Sequence, residues 1–499
     1  MGIEVLLDIP AGALADRVAL GARTGGLTFA DLAARAAGGA TLLRDSGAKS
    51  VAFTGVNGPA FNIAVFAAAI AGLPISPLNY RLQDADLAEL LERLDAPVVL
   101  ADADQVARVD AHAHAVITTD DFLVRSATAA PAEPAYLDDD ATAVVLFTSG
   151  TTSKPKGVVL KHAHLTAYVL QTVELLAAGD DEAALVAVPP YHVAGVATVL
   201  SNTYAGRRVV HLPQFTPAGW LDVVRTEGIT SAMVVPTMLA RVVEHLTQGD
   251  EVTDANVPSL RSLAYGGARV HPATLERALA AMPTVGFVNA YGLTETSSTI
   301  CVLGPDDHRA AVASTDDAVR ARLASAGRPV PGIELLVRKE DGTAAGPNEV
   351  GELFVRGAQV SGEYVGSGSA LDSEGWFPTR DRAWIDPDGF LFIEGRSDDT
   401  IIRGGENIAP AEIEDVLTTH DAVADAAVVG LPDEEWGECI HAVVVLHQGA
   451  TADPEELRAF CRERLRGSKT PDSVRIWEEL PYTPTGKLLR REIIATLTS

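Results

Sequence analysis

Short apolar runs alternate with longer amphipathic segments between about residues 50 and 300. The short runs have the length of buried strands, and the longer segments have the 3.6-residue period of helices. Repeated units of strand, loop and helix predict mostly parallel sheets covered by helices, with ligands bound beyond the carboxyl ends of the strands. The predicted strands lie at 50–55, 142–147, 184–190, 231–236 and 262–267, and the predicted helices lie near 58–72, 193–204, 237–247 and 272–281.

The longest apolar stretch, residues 61–76, includes Asn62 and Pro74. A membrane-spanning helix needs about 20 apolar residues, so this stretch predicts a buried helix and the start of a strand. We expect no integral membrane segment.

The pattern changes after residue 350. Short β-like runs and many glycines at 350–395 predict a small distorted β-barrel or sheet. A new set of elements follows: the pattern predicts helices at 409–420 and 453–465, and strands at 426–432, 441–447 and 473–480. Asp453, Pro454 and Glu456 are typical of a helix start. The prediction is an α/β protein with two domains: residues 1–397, with stacked, mostly parallel sheets and the barrel-like region, and residues 398–499, a small α+β domain.

Composition narrows the class of protein. The 499 residues exceed one ordinary core, in agreement with at least two domains. A formal charge of −28 and a pI near 4.7 argue against a nucleic-acid partner. Cys301, Cys439 and Cys461 are too widely spaced to indicate a disulfide framework or a zinc site. The first residues lack a basic segment typical of a secretory signal, so we expect a cytoplasmic protein. The sequence leaves a homodimer open.

The loop 148–157, TSGTTSKPKG, follows the predicted strand 142–147 and contains hydroxyls, two lysines and two glycines. Such a segment favours phosphate binding, because glycine allows close backbone approach while hydroxyls and lysines contact the anion. A polar surface hairpin is the alternative. The loop is not a common P-loop, because it lacks the Gly-Lys-Ser/Thr ending.

TSGTTSKPKG resembles the signature loop of the adenylate-forming superfamily of acyl-CoA synthetases, luciferases and peptide-synthetase adenylation domains. The resemblance implies that an acid and ATP give an acyl-adenylate and pyrophosphate, and that a nucleophile then displaces AMP. It assigns ATP or AMP binding to Thr148, Ser149, Gly150, Thr151, Thr152 and Lys156, with Thr151 also near Mg²⁺.

The segment 289–296, NAYGLTET, resembles the adenine and metal segment of the same superfamily. This implies that the Tyr291 ring stacks on adenine, Thr294 contacts the α-phosphate and Glu295 helps to hold Mg²⁺. One carboxylate is sufficient when nucleotide phosphates supply other ligands. The further nucleotide-site residues implied by this segment and by GGA at 266–268 are Asn289, Ala290, Gly292, Gly266, Gly267 and Ala268.

The segment 376–381, WFPTRD, resembles the ribose-binding element, with Asp381 accepting from both ribose hydroxyls. The family usually has glycine where this chain has Arg380. Arg396 matches the arginine that contacts ATP, and Asp398 matches the hinge before the mobile C-terminal domain. A solvated linker is the alternative for Asp398.

Lys487, in PTGKLLRRE, resembles the catalytic lysine of that mobile domain. Attack of a carboxylate on the α-phosphate concentrates negative charge in the transition state, and a cation placed there stabilises it. A solvated lysine in a terminal segment is the alternative.

Coenzyme A is the expected acceptor. Residues 457–491 contain nine Lys or Arg and four acidic residues, 9 − 4 = +5, in an acidic chain. This cluster, which includes Arg475, favours phosphate binding, although part of it is also typical of a solvated helix face. Gly404 and Gly405 resemble the pantetheine-tunnel loop, and Trp436 and Arg81 match nucleotide contacts in the chlorobenzoate-CoA ligase branch. Trp436 also suits a core. Direct transfer to a carrier protein and an inactive binding or scaffold protein remain alternatives.

The segment 190–195, PYHVAG, replaces the Asp-bearing segment of peptide-synthetase domains, so an amino-acid substrate is disfavoured. His192 resembles the gate histidine of fatty and aryl ligases, and an ordinary buried histidine is the alternative. The side chains around the implied pocket are small, which favours a medium-chain, aromatic or bulky polycyclic acid. No cation is evident that would pair with a second carboxylate, which favours a monocarboxylic acid. The implied acyl pocket comprises His192, Val193, Ala194, Gly195 and Ser297.

Overall fold

The structure is a computed structural model. It describes residues 2–138, 140–148, 155–248, 251–270, 272–396, 399–403, 406–433, 436–465, 467–483 and 486–498.

The helices are α1 (Val5–Ala13), α2 (Phe29–Asp45), α3 (Pro59–Ala71), α4 (Asp84–Glu92), α5 (Val106–Val109), α6 (Thr119–Ser126), α7 (His162–Thr172), α8 (Val193–Tyr204), α9 (Pro217–Thr226), α10 (Pro236–His245), α11 (Pro272–Ala281), α12 (Pro305–Ala313), α13 (Asp317–Ala321), α14 (Pro410–Thr418), α15 (Pro454–Arg464) and α16 (Arg490–Thr498).

The strands are β1 (Val18–Leu20), β2 (Leu27–Thr28), β3 (Ser50–Thr54), β4 (Ile75–Pro77), β5 (Pro97–Ala101), β6 (Ala115–Thr118), β7 (Thr142–Thr148), β8 (Lys156–Lys161), β9 (Ala183–Val186), β10 (Arg208–His211), β11 (Ser231–Val234), β12 (Thr247–Gln248), β13 (Glu251–Val252), β14 (Ser262–Gly266), β15 (Gly286–Leu293), β16 (Ser298–Leu303), β17 (Arg328–Pro329), β18 (Glu334–Arg338), β19 (Gly351–Arg356), β20 (Glu363–Tyr364), β21 (Gly368–Ser369), β22 (Phe377–Ile385), β23 (Leu391–Arg396), β24 (Ile401–Arg403), β25 (Glu406–Ile408), β26 (Val423–Asp433), β27 (Gly437–Leu446) and β28 (Ser473–Trp477).

Two large sheets with parallel centres form most of the molecule. The eight-stranded sheet has the order β21-β20-β8-β7-β4-β3-β5-β6, and the nine-stranded sheet has the order β17-β16-β15-β14-β11-β9-β10-β1-β2. In the first sheet, the run β7-β4-β3-β5-β6 is parallel, and in the second sheet the run β15-β14-β11-β9-β10-β1 is parallel. The remaining strands at the sheet edges pair in the antiparallel direction. The predicted α/β class is confirmed, with antiparallel strands added at the edges.

The core around α3 follows from its sequence. Almost every residue of α3 is apolar, Pro59 starts the helix and Gly72, with φ +75°, ends it. Helix α2 approaches α3 closely because Gly39 has no side chain, and a Cβ there would lie 3.0 Å from the Cβ of Ala67. The segment predicted as a buried helix is therefore a core helix. In the part of the chain that the structure describes, no helix is both long and apolar enough to cross a bilayer.

Two smaller sheets complete the fold. Strands β18, β19, β22 and β23 form the predicted β-rich region as a four-stranded antiparallel sheet. After residue 400 the strand order is β25-β24-β27-β26, with β28 parallel to β27, and helices α14 and α15 cover a separate apolar cluster. The Asp453 side chain accepts a hydrogen bond from the Glu455 N–H, which caps α15 as expected. All three cysteines are free thiols.

Candidate active site

The carboxyl end of β15 forms the centre of the candidate site. A short 3-10 turn, Thr294–Thr296, reverses the chain into β16, with Ser297 in the left-handed region at φ +56°. Gly292 is required for this reversal, because a Cβ there would lie 1.8 Å from the Ser298 carbonyl oxygen. The tight turn holds the partly exposed Thr294 and Glu295 at the end of the strand that carries Tyr291.

The two predicted adenine segments are adjacent. Strand β14 pairs in parallel with β15, and Gly266 lies opposite Ala290. A Cβ on Gly266 would lie 2.2 Å from the Ala290 carbonyl oxygen, whereas Gly267, at φ +90°, faces open space. Ala268 follows in the same loop. Asn289 is held separately, since its Nδ2 donates to the Ser325 carbonyl at 2.9 Å.

Tyr291, Asp381 and Arg396 form a network around the buried Asp381 carboxylate. The Tyr291 hydroxyl donates to Asp381 Oδ2 at 2.5 Å, and Arg396 Nη1 donates to Asp381 Oδ1 at 3.1 Å. Burial raises the pKa of Asp381, which is 4% exposed, while the Arg396 charge opposes the shift. The buried Arg396 Nε has no hydrogen-bond partner among the described residues. The network therefore retains a cationic donor that an added anion or acceptor could satisfy.

Arg380 precedes Asp381 on β22 and adopts a left-handed backbone with φ +61°. This region is favoured by glycine, the residue that the family usually has at this position. The loop keeps the glycine-type conformation despite its arginine, at a cost of roughly 1–2 kcal/mol.

Glu295 is bound to a tyrosine that the sequence analysis did not identify. The Tyr364 hydroxyl donates to Glu295 Oε1 at 2.9 Å, and the Ser361 N–H donates to the Glu295 backbone oxygen at 2.8 Å. The ammonium of Lys156 lies 5.6 Å from the centroid of the Tyr364 ring, which is a cation–π geometry. Tyr364 thus contacts both Glu295 and Lys156, the first residue of β8 after the loop 148–157.

Lys487 faces this network from the C-terminal part of the chain. Gly486 is buried against the start of α10, where a Cβ would lie 2.8 Å from Thr237 Cγ2, and the Lys487 N–H donates to Thr483 Oγ1 at 2.9 Å. The residue is exposed, yet protein atoms around its ammonium lower its pKa, and Arg396 adds to the shift. Asp381 and Glu295 are close enough to oppose the shift. The structure therefore brings together the predicted Tyr291, Glu295, Asp381, Arg396 and Lys487.

His192 immediately precedes α8, without a capping hydrogen bond from its side chain, and lies beside an aromatic cluster. Its ring centroid lies 4.5 Å from that of Tyr191, and Tyr80 contacts Tyr191 edge-on at 5.7 Å. Burial lowers the pKa of His192 to about 4, so the ring is neutral at pH 7. Its Nε2 is buried with no partner in the described ranges. The predicted CoA residue Arg81 lies at this cluster, with its guanidinium 5.4 Å from the Tyr80 ring centroid.

A cavity of about 640 Å³ runs beneath α8. Both Ala194 and Asn202 line it, and their eight-residue separation corresponds to about 12 Å along the helix. Among the described residues of the predicted acyl pocket, only Ala194 lines this cavity; the Ser297 hydroxyl is buried and donates to the Gln359 carbonyl at 2.8 Å. The wall is made largely of small side chains: Ala184, Ala187, Ala197, Ala232, Ala264 and Ala290.

Two arginines also line the cavity, which corrects the expectation that no cation faces it. Arg207 donates from Nε and Nη2 to Glu182 Oε2, at 3.0 and 2.9 Å. Arg328 forms a 2.9 Å ion pair with Asp307. Both arginines are therefore already paired with acidic residues. Because neither offers an unpaired charge to a second carboxylate of the substrate, the cavity still favours a monocarboxylic acid.

The remaining predicted residues are only partly described. Thr148 ends β7, and Trp436, 46% exposed, lies in the turn just before β27, with the Arg403 guanidinium 5.5 Å from its ring centroid. Arg475 is exposed on β28. The predicted residues Ser149, Gly150, Thr151, Thr152, Asp398, Gly404 and Gly405 lie outside the described residues.

Family models match most of the chain. The model of the AMP-binding enzyme matches residues 9–365, and the model of the AMP-binding enzyme C-terminal domain matches residues 412–487.

Similar proteins cover nearly the whole length. A feruloyl-CoA synthase of Amycolatopsis sp. is 35% identical over 481 residues, 94% of this chain and 93% of the relative. A fatty acid–acyl-carrier-protein ligase, ScoC, of Streptomyces coeruleorubidus is 32% identical over 457 residues, 89% and 86% of the two chains.

The o-succinylbenzoate CoA synthetase of Bacillus subtilis, solved with its acyl-adenylate intermediate, is 30% identical with a TM-score of 0.84, covering 98% of this chain and 97% of the other. The same enzyme has been solved with ATP and a magnesium ion, at a TM-score of 0.82 and 29% identity, covering 98% of each chain. These matches confirm the predicted relationship to the adenylate-forming superfamily, and the chain belongs to the AMP-binding enzyme family.

Proposed function

We propose that this AMP-forming acid–CoA ligase activates a hydrophobic monocarboxylic acid of the medium-chain, aromatic or bulky polycyclic type. The observation that carries the proposal lies on β15. Ala290 lines the apolar cavity, while the next residue, Tyr291, bonds to Asp381. An acid in the cavity and a nucleotide at Asp381 would therefore meet at one strand end.

The nucleotide is ATP in this proposal. Asp381 accepts from the ribose hydroxyls, Tyr291 and the loop 266–268 enclose adenine, and Arg396 uses its unpartnered Nε toward the nucleotide. The loop 148–157 binds the pyrophosphate portion. The feature that supports this assignment is a carboxylate already oriented by two hydrogen-bond donors, because a ribose can join it with little reorganisation.

The site also fits Mg²⁺. Glu295 supplies one carboxylate, and the described residues contain no group of three His, Cys, Asp or Glu side chains that would form an all-protein cage. One or two carboxylates with phosphate oxygens are the usual arrangement for nucleotide-bound magnesium. When bound, the ion neutralises charge on the phosphates.

In the first half-reaction, a substrate carboxylate oxygen attacks the α-phosphorus of ATP. The bond from that phosphorus to the bridging oxygen breaks, and pyrophosphate leaves. We assign Lys487 the role of stabilising the negative charge of this transition state, with Thr294 at the α-phosphate and neutral His192 between the ATP and acyl sites. The proximity of Lys487 to Asp381 and Glu295 supports this assignment.

In the second half-reaction, the CoA thiol attacks the acyl carbon, gives up its proton, and AMP leaves. We propose that the chain turns at Asp398, so that residues 398–499 carry Lys487 away and present the loop at Gly404 and Gly405. Trp436, Arg475 and Arg81 would bind the nucleotide of CoA.

A carrier protein is the second candidate acceptor, because one of the similar proteins is a fatty acid–acyl-carrier-protein ligase. The experiment is a panel of acids scored by pyrophosphate release, followed by thioester detection with CoA or with purified carrier protein. Thioester with CoA supports the proposal. Thioester only with carrier excludes CoA as the acceptor, and no acid-dependent pyrophosphate release supports an inactive binding protein.

A further inference from the structure

The far half of the acyl cavity contains two buried oxygen atoms that have no hydrogen-bond partner within the described ranges of the chain. Ser201 Oγ and Gln171 Oε1 are both buried, both residues line the cavity, and neither atom has a hydrogen-bond partner among the residues described. An unpaired buried polar atom is costly, and native proteins usually satisfy such atoms with protein, water or ligand.

Both atoms lie away from the reacting end. Ser201 follows Ala194 on α8 by seven residues, which is about 10 Å along the helix. Gln171 lies in the last turn of α7. The chain that follows α7 contacts the C-terminal end of α8, where the Leu176 N–H donates to the carbonyl of Tyr204 at 3.1 Å. The two oxygens therefore face the part of an acid that is remote from its carboxylate.

The Gln171 amide packs closely against Gly332. A Cβ on Gly332 would lie 2.5 Å from Gln171 Oε1 and 2.8 Å from its Nε2, so the amide packs directly on the glycine backbone. Gly332 has φ +80°, which further restricts other residues there. The Gln171 amide therefore lies between Gly332 and the cavity.

Several other polar groups of the cavity are already engaged. Thr198 Oγ1 donates to the Ala194 carbonyl at 2.6 Å, and Asn202 Oδ1 accepts from Arg207 at 3.1 Å. Arg207 and Arg328 are paired with Glu182 and Asp307. Among the residues that the structure describes, the cavity therefore offers neutral hydrogen-bonding atoms, and both arginines that line it are paired, which disfavours a second carboxylate.

We propose that the acid activated by this enzyme carries a hydroxyl group at the end remote from its carboxylate, bound by Ser201 and Gln171. This inference rests on the function proposed above. A hydroxyl both donates and accepts, so it can satisfy the amide oxygen and the serine hydroxyl together. An ether or an unsubstituted chain cannot donate to Gln171 Oε1. Ser201 and Gln171 are therefore specificity-determining residues in a cavity with otherwise small walls.

The test compares matched acids with and without the hydroxyl: 4-hydroxycinnamic with cinnamic acid, and 8-hydroxyoctanoic with octanoic acid. We expect kcat/KM for pyrophosphate release to favour the hydroxylated member of at least one pair by roughly tenfold. Ser201→Ala and Gln171→Leu should each bring this ratio close to one. Turnover of the unsubstituted acid reports that each variant is folded.

Thr198→Val is the matched control, because it removes a cavity hydroxyl whose hydrogen bond is already made within α8. It should keep the wild-type ratio. A wild-type ratio of one or less for both pairs, or a ratio retained in both Ser201→Ala and Gln171→Leu, overturns the inference while leaving the proposed function intact. No pyrophosphate release with any acid overturns the proposed function itself.

Discussion

The two ends of the candidate site differ in how far their polar groups are already paired. At the nucleotide end, Asp381 holds Tyr291 and Arg396, and Glu295 holds Tyr364. The acyl cavity has alanine walls and polar oxygens without partners in the described chain. The nucleotide end binds the same co-substrate in every turnover, so a preorganised arrangement of polar groups suits it. The acyl cavity is lined by small side chains, so the shape of the cavity and a few polar contacts decide which acid it accepts. We therefore expect substitutions at the two ends to separate catalysis from choice of acid.

The largest effect is expected at Lys487. Lys487→Ala should slow pyrophosphate release by roughly a hundredfold or more, comparable to removing one oxyanion donor, because the transition state loses its cation. Conversion of supplied acyl-adenylate and CoA to thioester should survive. Both steps are measured in single-turnover assays.

Lys339→Ala is the control for that variant, since Lys339, just after β18, forms an ion pair with Glu349, just before β19. It should leave both half-reactions unchanged. Equal loss of the two half-reactions in Lys487→Ala would contradict a lysine that serves adenylation alone.

Asp381→Asn should be the next most damaging change. It removes the charge that pairs with Arg396, and the loss of a charge-assisted hydrogen bond corresponds to a fall of roughly tenfold to a hundredfold in kcat/KM for ATP. Tyr291→Phe removes only one donor to the same carboxylate and should have a smaller effect. Kinetics with ATP and acid varied separately would measure this. A rise confined to the KM for the acid would show that Asp381 does not serve the nucleotide.

The residues named in these predictions show what the sequence could predict. Tyr291, Asp381 and Lys487 stand in local motifs, and α8 was predicted near 193–204 because helix periodicity is a local signal. Tyr364 was missed because it lies 69 residues from Glu295 on a two-residue strand without a motif. Arg207 was also missed, since only the folded chain turns it toward the cavity and pairs it with Glu182. Tertiary approach, which no local pattern encodes, decides such contacts.

At the cavity end, Ala197→Leu should change selectivity rather than chemistry. The added side chain enters a wall of the cavity midway along α8 and should lower kcat/KM for the longest acids by roughly tenfold, with little change in the KM for ATP. Pyrophosphate release from a homologous series of acids would show this as a shorter length limit. An equal loss for short and long acids would indicate damage to the shared nucleotide end instead.

The smallest effect concerns the backbone beside Asp381. Arg380 has φ +61°, which costs an L-residue roughly 1–2 kcal/mol, and part of this is offset by the greater unfolded-state entropy of glycine. Arg380→Gly should therefore raise the free energy of unfolding by about 0.5–1 kcal/mol. Arg382→Gly, on the same strand and outside the left-handed region, should lower it, because glycine weakens a strand interior. Urea unfolding midpoints of the two variants should thus move in opposite directions; a shift in the same direction would show that the nucleotide end carries no such backbone strain.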